Sequence, residues 1–254
     1  MLTFNYRGKV ALVTGAGRGL GFAICQAFLC AGAMVIINDR TSEQVETAIK
    51  RLGSGLAIPA PGDLAVSGMP GTIMDVSNRI GRLDVLVNNA AVNVERPIEE
   101  TDDDHWDRHL AVDLMAPFFM VRAALPLLER SQGTVINIAS ELGLHAIANN
   151  VAYVTAKHGL IALTRAMAIE FASRNIRVNA LCPGTMDTEL MKDCARDSGD
   201  PDSYYAGFRA YHPLARLASP HEIADFVLCL ASPAAAYMTG AAIALDGGSV
   251  AGRH

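Results

Sequence analysis

The chain has 254 residues, 51% of them hydrophobic, and a formal net charge of −5. That length suits one α/β domain with a large core, and an acidic balance argues against a nucleic-acid surface, which is usually basic. The five cysteines are odd in number, widely spaced and set among apolar residues, so they read as reduced thiols of a cytoplasmic protein, without a disulfide frame or a metal site. No apolar run approaches the roughly 18 residues of a membrane span. Residues 1–9 lack the charged-then-apolar build of a secretory signal.

The first strand is predicted over residues 10–14, where Val10-Ala11-Leu12-Val13 is continuously apolar. It leads into Thr14-Gly15-Ala16-Gly17-Arg18-Gly19-Leu20-Gly21, and a helical pattern follows from Phe22. In a strand–turn–helix context such glycines let the backbone approach a pyrophosphate, and the helix N-terminus supplies N–H groups and a positive dipole end. The plainer reading is a βα turn that needs glycines for packing. A second strand at 33–38 ends at Asp39. A carboxylate there accepts hydrogen bonds from adenosine ribose hydroxyls and repels a 2′-phosphate, which favours NAD over NADP. Arg18 and Arg40 oppose this, because either guanidinium can clamp a phosphate.

Thr41-Ser42-Glu43-Gln44 fits a capping box at the start of the next helix. A third strand at 56–59 is followed by Asp63-Leu64, and a fourth at 84–88 by Asn88-Asn89-Ala90-Ala91. The fifth, at 134–139, ends at Ser140. Thirteen residues on, Tyr153-Val154-Thr155-Ala156-Lys157 places a phenol and an ammonium four residues apart, on one face of a helix. A Lys beside a phenol favours the phenolate and lowers the Tyr pKa, so the Tyr can exchange a proton with an alcohol oxygen. Alone the pair is weak, because Tyr and Lys meet on many solvated helix faces; Ser140 and the glycine turn strengthen it.

The sixth strand, at 176–181, runs into Pro183-Gly184 with Met186 and Thr188 beyond. Residues 186–219 form the least regular stretch, rich in Asp, Ser, Gly and Tyr, and read as a substrate lid. A variable surface insertion is the plainer alternative. Ser219-Pro220-His221-Glu222 fits a second capping box, with Pro at the first helical position. The seventh strand, 242–245, precedes Asp246-Gly247-Gly248. Continuous rather than alternating apolarity implies strands covered on both faces. The expected architecture is α/β: a single domain over 1–254, a doubly wound parallel sheet (Rossmann fold) of about seven strands with helices on both faces. Ligands then sit at the strand carboxyl ends, where the motifs fall.

In this order and spacing the motifs resemble those of the short-chain dehydrogenase/reductase family, over essentially the whole chain. The matching residues are the turn from Thr14 to Gly21, Asn88-Asn89-Ala90, Ser140, the Tyr153–Lys157 pair, Pro183-Gly184 and Leu245-Asp246-Gly247-Gly248. The resemblance identifies the family and not the substrate. It implies that Ser140 hydrogen-bonds the substrate oxygen, that Tyr153 is the acid/base, and that Lys157 lowers the Tyr153 pKa and holds the nicotinamide ribose. It places Gly15, Gly17, Arg18, Gly19, Leu20, Gly21, Asp39 and Arg40 around the dinucleotide. It puts Asp63 and Leu64 by the adenine, Asn89 and Ala90 by the adenosine ribose, and Pro183, Gly184, Met186 and Thr188 by the nicotinamide.

Two positions depart from the family pattern. Ala91 stands where a Gly is usual, which demands a less permissive backbone angle. Asp113, in Ala111-Val112-Asp113-Leu114, stands where an Asn completes a proton relay; the simplest reading is a near-isostere acting through local geometry.

Substrate candidates are Ser140 and Tyr153 with Glu141, His145 and Asn150, joined by Asn93, Glu95 and Arg96 after the fourth strand. These polar groups suit a polyol or sugar; Val92, Leu142, Leu144, Met186 and Tyr205 suit a cyclic ketone or steroid-like alcohol equally. The leading function is hydride transfer between NAD and a small secondary alcohol or ketone, with no nucleic-acid or membrane partner. The resemblance further implies a homotetramer that pairs helices near 104–122 and 153–173. The Tyr–Lys spacing argues against relatives that reduce enoyl groups. A non-catalytic nucleotide-binding relative is the second class, opposed by the retained Ser140, Tyr153 and Lys157. An epimerase or dehydratase usually needs a larger C-terminal domain.

Overall fold

A computed structural model describes residues 4–252 of the chain. Seven parallel strands form one sheet in the order β3-β2-β1-β4-β5-β6-β7. They are β1 Val10–Val13, β2 Met34–Ile37, β3 Ala57–Pro59, β4 Val85–Asn88, β5 Thr134–Ile138, β6 Arg177–Pro183 and β7 Ala242–Leu245. The helices are α1 Gly19–Cys30, α2 Ser42–Leu52, α3 Met69–Ile80, α4 Asp103–Leu110, α5 Ala116–Ser131, α6 Val151–Phe171, α7 Glu189–Asp197, α8 Pro201–Ala210 and α9 Pro220–Ala231.

The continuous apolarity of the strands has the expected cause. Along β1, Ala11 and Val13 point into a core shared with α1, α2 and α9. Val10 and Leu12 point the other way, into a core shared with α3, α5 and α6. Side chains alternate across a strand, so a strand buried on both faces must be apolar at every position. Both sequence-read capping boxes form, at Thr41 with Gln44 and at Ser219 with Glu222. The strand order reverses beside β1, where the chain leaves the β3 edge and re-enters at β4. A crevice opens at the carboxyl ends of two such strands, and ligands of doubly wound sheets bind there.

Three expectations need correction. Residues 186–219 are not irregular: α7 and α8 form there, and the Asp-Ser-Gly run is the turn between them. Asp200 caps α8 by accepting from the Ser203 N–H, and Pro201 opens that helix, so the residues that read as loop are helix-start chemistry. The second correction concerns length and apolarity. α4, a π-helical turn over Ala111–Met115 and α5 join into one rod, Asp103–Ser131, long and apolar enough by composition to cross a membrane. Its buried side chains, among them Met120, Val121, Ala124 and Leu128, pack on the sheet. The third is local: β6 runs two residues past its predicted end, through Cys182 and Pro183.

Candidate active site

The glycine turn and the segment after β4 are built as one unit. The Thr14 hydroxyl accepts from the backbone N–H groups of Asn89 (2.9 Å) and Ala90 (3.0 Å). The Asn89 amide donates to the carbonyls of Thr14 (2.9 Å) and Gly15 (3.0 Å). The side-chain N–H groups of Asn89 thus brace the turn. Gly15 has φ +61°, and a Cβ there would lie 2.7 Å from the Ala90 Cα. A Cβ on Gly21 would collide with the Gly15 carbonyl. Ala91 does not adopt the left-handed backbone that a Gly would permit, so its substitution is unstrained.

Arg18 is the extended residue before α1, and its side chain does not cap the helix. The first-turn N–H groups of α1 therefore remain available to an anion. Asp39 reaches back across the turn: its Oδ2 accepts from the Gly17 N–H at 2.7 Å and its Oδ1 from the Arg40 N–H at 2.7 Å. Arg18 and Arg40 are exposed. Asp63 accepts from the Ala65 N–H (3.0 Å) and pairs with Arg108 (3.1 Å), a partner the sequence reading missed. Partial burial opposes its charge, but that N–H and Arg108 hold its carboxyl below the usual carboxylate range. Leu64 beside it is buried. Thr188 faces the glycine turn, with its methyl 3.8 Å from where a Cβ on Gly19 would stand. Pro183 and Gly184 are buried, and a Cβ on Gly184 would lie 2.8 Å from His212. Met186 pairs with Ala218 in an isolated bridge.

Ser140, Tyr153, Lys157 and Asp113 come together from three elements: the turn after β5, α6, which carries both Tyr153 and Lys157, and the π-helical turn. Ser140 follows β5, and its hydroxyl accepts from the Leu142 N–H (3.1 Å) and lies near enough to the Tyr153 phenol to favour its charged form. Lys157 is 1% exposed. Its Nζ donates to the Ile138 carbonyl at 3.1 Å, lies 3.2 Å from Asp113 Oδ1 and sits 5.4 Å from the Tyr153 ring centre. Asp113 is fully buried in the π-helical turn, and both its oxygens accept from the Val92 N–H, at 3.3 and 3.4 Å. π-Turns inside helices are frequent at functional sites.

The charges act on one another. Burial disfavours the Lys157 ammonium, but Asp113 and the Tyr153 oxygen beside it outweigh that and hold Lys157 above the ordinary lysine range. Burial pushes the Asp113 carboxyl up, against the pull of Lys157. Burial also pushes the Tyr153 phenol up. Lys157 and the Ser140 hydroxyl pull it back, while Asp113 and Glu141 add to the rise. The expected pull of Lys157 on Tyr153 is present but outweighed, and the phenol sits above its ordinary value. The reading of Asp113 as a near-isostere of Asn also needs revision, since its charge is paired with Lys157.

The remaining candidates divide. Asn150 caps the start of α6, three residues before Tyr153, and is buried. Among the described residues neither atom of its amide finds a hydrogen-bond partner, and the same holds for the buried Nε2 of His145. Glu141 is held by the Ser249 hydroxyl, which also lies 2.9 Å from Asp246, so the turn after β7 folds onto the Ser140 loop. Arg96 donates its N–H to the Asn149 carbonyl (2.7 Å), which ties the segment after β4 to the loop before α6. Asn93, Glu95 and Leu144 are exposed. Tyr205 of α8 donates to Asp187 at 3.2 Å, so the predicted lid region rests on the segment that follows Gly184. Sequence reasoning missed His109, which accepts from the Val94 N–H at 3.3 Å. Its spacing of four from Asp113 was the available signal, because i and i+4 share a face.

Comparisons with known proteins place the chain among oxidoreductases. A family model described as enoyl-(acyl carrier protein) reductase matches residues 15–250. An uncharacterized oxidoreductase of Bacillus subtilis is 41% identical, over 96% of this chain and 99% of its own. The meso-2,3-butanediol dehydrogenase of Serratia marcescens is 34% identical, over 97% and 96%. The structure of L-sorbose reductase from Gluconobacter frateurii, complexed with NADPH and L-sorbose, superimposes with a TM-score of 0.94 at 28% identity, covering 99% of this chain and 100% of that one. With the glycine turn, the Ser140–Tyr153–Lys157 cluster and this similarity over nearly its whole length, the chain belongs to the short-chain dehydrogenase/reductase family of oxidoreductases.

Proposed function

We propose that this enzyme interconverts a small secondary alcohol and its ketone with NAD, and that its substrate is a polyol or sugar. The Ser140–Tyr153–Lys157 cluster carries the reaction class. The residues present fit a nicotinamide dinucleotide: a glycine turn with no room for a Cβ at Gly15, Gly17 and Gly21, an α1 N-terminus without a side-chain cap, and Asp39 beside Gly17. The dinucleotide supplies the hydride chemistry when bound. Ser140 orients the substrate oxygen, and the Tyr153 phenol exchanges a proton with it. The Lys157 ammonium stabilises the phenolate and keeps a third N–H for a ribose hydroxyl, since two are taken by Ile138 and Asp113.

The hydrogen-bonding capacity left open at Asn150 and His145 supports a substrate with hydroxyls beside the reacting carbon. A buried amide left unpaired costs about 1–3 kcal/mol, which a second hydroxyl of the substrate would recover. Asp39 supports NAD, because a carboxylate at that place repels a 2′-phosphate. NADP is the second reading: Arg18 and Arg40 are exposed beside Asp39, and the sorbose reductase of the same fold carries NADPH. We read the working form as a cytoplasmic homotetramer.

The test compares kcat/KM for NAD and NADP across polyols, sugars and cyclic alcohols, in wild type and Asp39→Ala. Wild type is expected to favour NAD, and Asp39→Ala to narrow the preference. A wild type that works better with NADP shifts the assignment to Arg18 and Arg40. Tyr153→Phe is expected to remove nearly all turnover and to leave NADH binding within a few-fold; equal activity of variant and wild type refutes the cluster.

A further inference from the structure

The segment after β4 carries three alternate N–H groups along one edge, and each meets a different acceptor. Val92 donates to Asp113, Val94 to His109 Nε2 at 3.3 Å, and Arg96 to the Asn149 carbonyl at 2.7 Å. His109 and Asp113 are one helical turn apart, so a single face of the rod holds the first two. His109 is 2% exposed, and its Nδ1 lies 2.8 Å from the His105 carbonyl. A carbonyl can only accept, so Nδ1 carries the hydrogen. The Val94 N–H can only donate, so Nε2 must be bare. The two neighbours together admit only the neutral imidazole.

We propose that His109 is a positioning residue whose neutral imidazole docks this segment against the substrate site, and that acid undocks it. The proposal rests on the reading of Ser140 and Tyr153 as the reaction centre. Arg96 touches the loop that starts α6, and Asn150 there lies three residues from Tyr153. Movement at Val94 therefore passes to the wall beside Asn150. A second proton on His109 would set an N–H against the Val94 N–H and break the bond.

The groups around His109 pull in both directions. Asp113 lies one turn on, paired with Lys157 from α6. One turn back the His105 ring is 4.3 Å away, with Arg96 and Asp102 near it. Acidic groups (Asp113, Asp102) and basic ones (Lys157, Arg96, His105) thus both stand around the ring.

The test uses two variants. Gln at 109 offers an amide oxygen to Val94 and an N–H to the His105 carbonyl, but it takes no proton. Leu offers neither. Amide exchange at Val94, expressed as protection relative to an unstructured peptide, is compared at about pH 8 and about pH 5.5, the range in which imidazoles usually titrate. Wild type is expected to lose about 3- to 10-fold in protection at acid pH, the worth of one hydrogen bond. His109→Gln is expected to hold its protection, and His109→Leu to lack it at both values.

A kinetic readout follows the NADH-driven reduction of acetoin. Ketone reduction takes up a proton, so acid does not impede the Tyr153 step itself. The KM of wild type should rise by a similar factor on acidification, with a smaller change in kcat, while that of His109→Gln stays flat. Parallel behaviour of wild type and His109→Gln in both readouts, or a protected Val94 in His109→Leu, overturns the proposal. The exchange comparison needs no substrate, so it decides the role of His109 even for a protein that leaves acetoin unreduced.

Discussion

At the scale of the residue, Asp113 adds to what burial does at Tyr153, the proposed proton-transfer group. Its carboxylate lies 3.2 Å from the Lys157 ammonium, and both are buried. An anion there stabilises the ammonium, but it also makes a phenolate at Tyr153 harder to form. With Tyr153 as the proposed acid/base, alcohol oxidation needs the phenolate, so this pair is expected to move oxidation toward alkaline pH. Asp113→Asn removes the anion, lowers the Tyr153 pKa and is expected to move the basic optimum of oxidation down by about one pH unit, worth about 1.4 kcal/mol. Thermal stability should fall as well, because Lys157 loses its partner and the amide must turn one end away from Val92 or Lys157. An unchanged pH–rate profile would return Asp113 to the role of a neutral stand-in for Asn. Residue identity was legible here and electrostatic balance was not. The Tyr153–Lys157 spacing placed both groups on one face, but burial decides which influence on the phenol wins, and burial belongs to the tertiary structure.

At the scale of the element, the glycine turn is legible because its constraint is local. Strand, turn and helix are contiguous, and the backbone that excludes a Cβ at Gly21, the Gly15 carbonyl, lies six residues back in the same turn; the Asn89 amide is the close neighbour that comes from outside it. Gly21→Ala must push α1 away from the Gly15 carbonyl, and overpacking of this kind costs about 1–3 kcal/mol. NADH affinity is expected to weaken at least tenfold, measured by fluorescence titration. Gly53→Ala is the control: Gly53 also has a positive φ, +60°, but nothing lies within 4 Å of a Cβ there. It should lose about 1 kcal/mol of stability to backbone strain and leave NADH affinity unchanged. Equal effects of the two on affinity would remove the turn from the cofactor site. The π-turn around Asp113 and the helices α7 and α8 were less legible. A π-turn is an adjustment of a helix to what it packs against, and no local pattern in Ala111–Met115 announces it. In α7 and α8 the Asp and Ser that cap helices are the same residues that build loops, so composition alone points both ways.

At the scale of the whole molecule, the strand order follows from two-sided burial and the alternation of strand with helix, which leave a parallel sheet and few topologies. What surrounds the fold is carried by faces rather than motifs. Met115, at the end of the π-helical turn, and Phe118 of α5 are exposed, and on α6 Ile169 is 82% exposed. Ala162 and Ala166 share that side of α6 and are also exposed, so two helices can approach closely along it. Their inner sides are already spent on the sheet, through Met120, Ala124, Leu160 and Met167. An apolar stripe on the outside of two adjacent helices is what a second copy of the same chain would cover, and closed two-fold assemblies are the commonest result. The proposed homotetramer is therefore expected to scatter light at about four times the 26.9 kDa of one chain. Ile169→Glu and Phe118→Glu together put charge at the centre of the stripe and should shift the mass toward smaller species while the helical content holds. A wild type that scatters as a 26.9 kDa particle at micromolar concentration contradicts the assembly, and the stripe would then need another occupant.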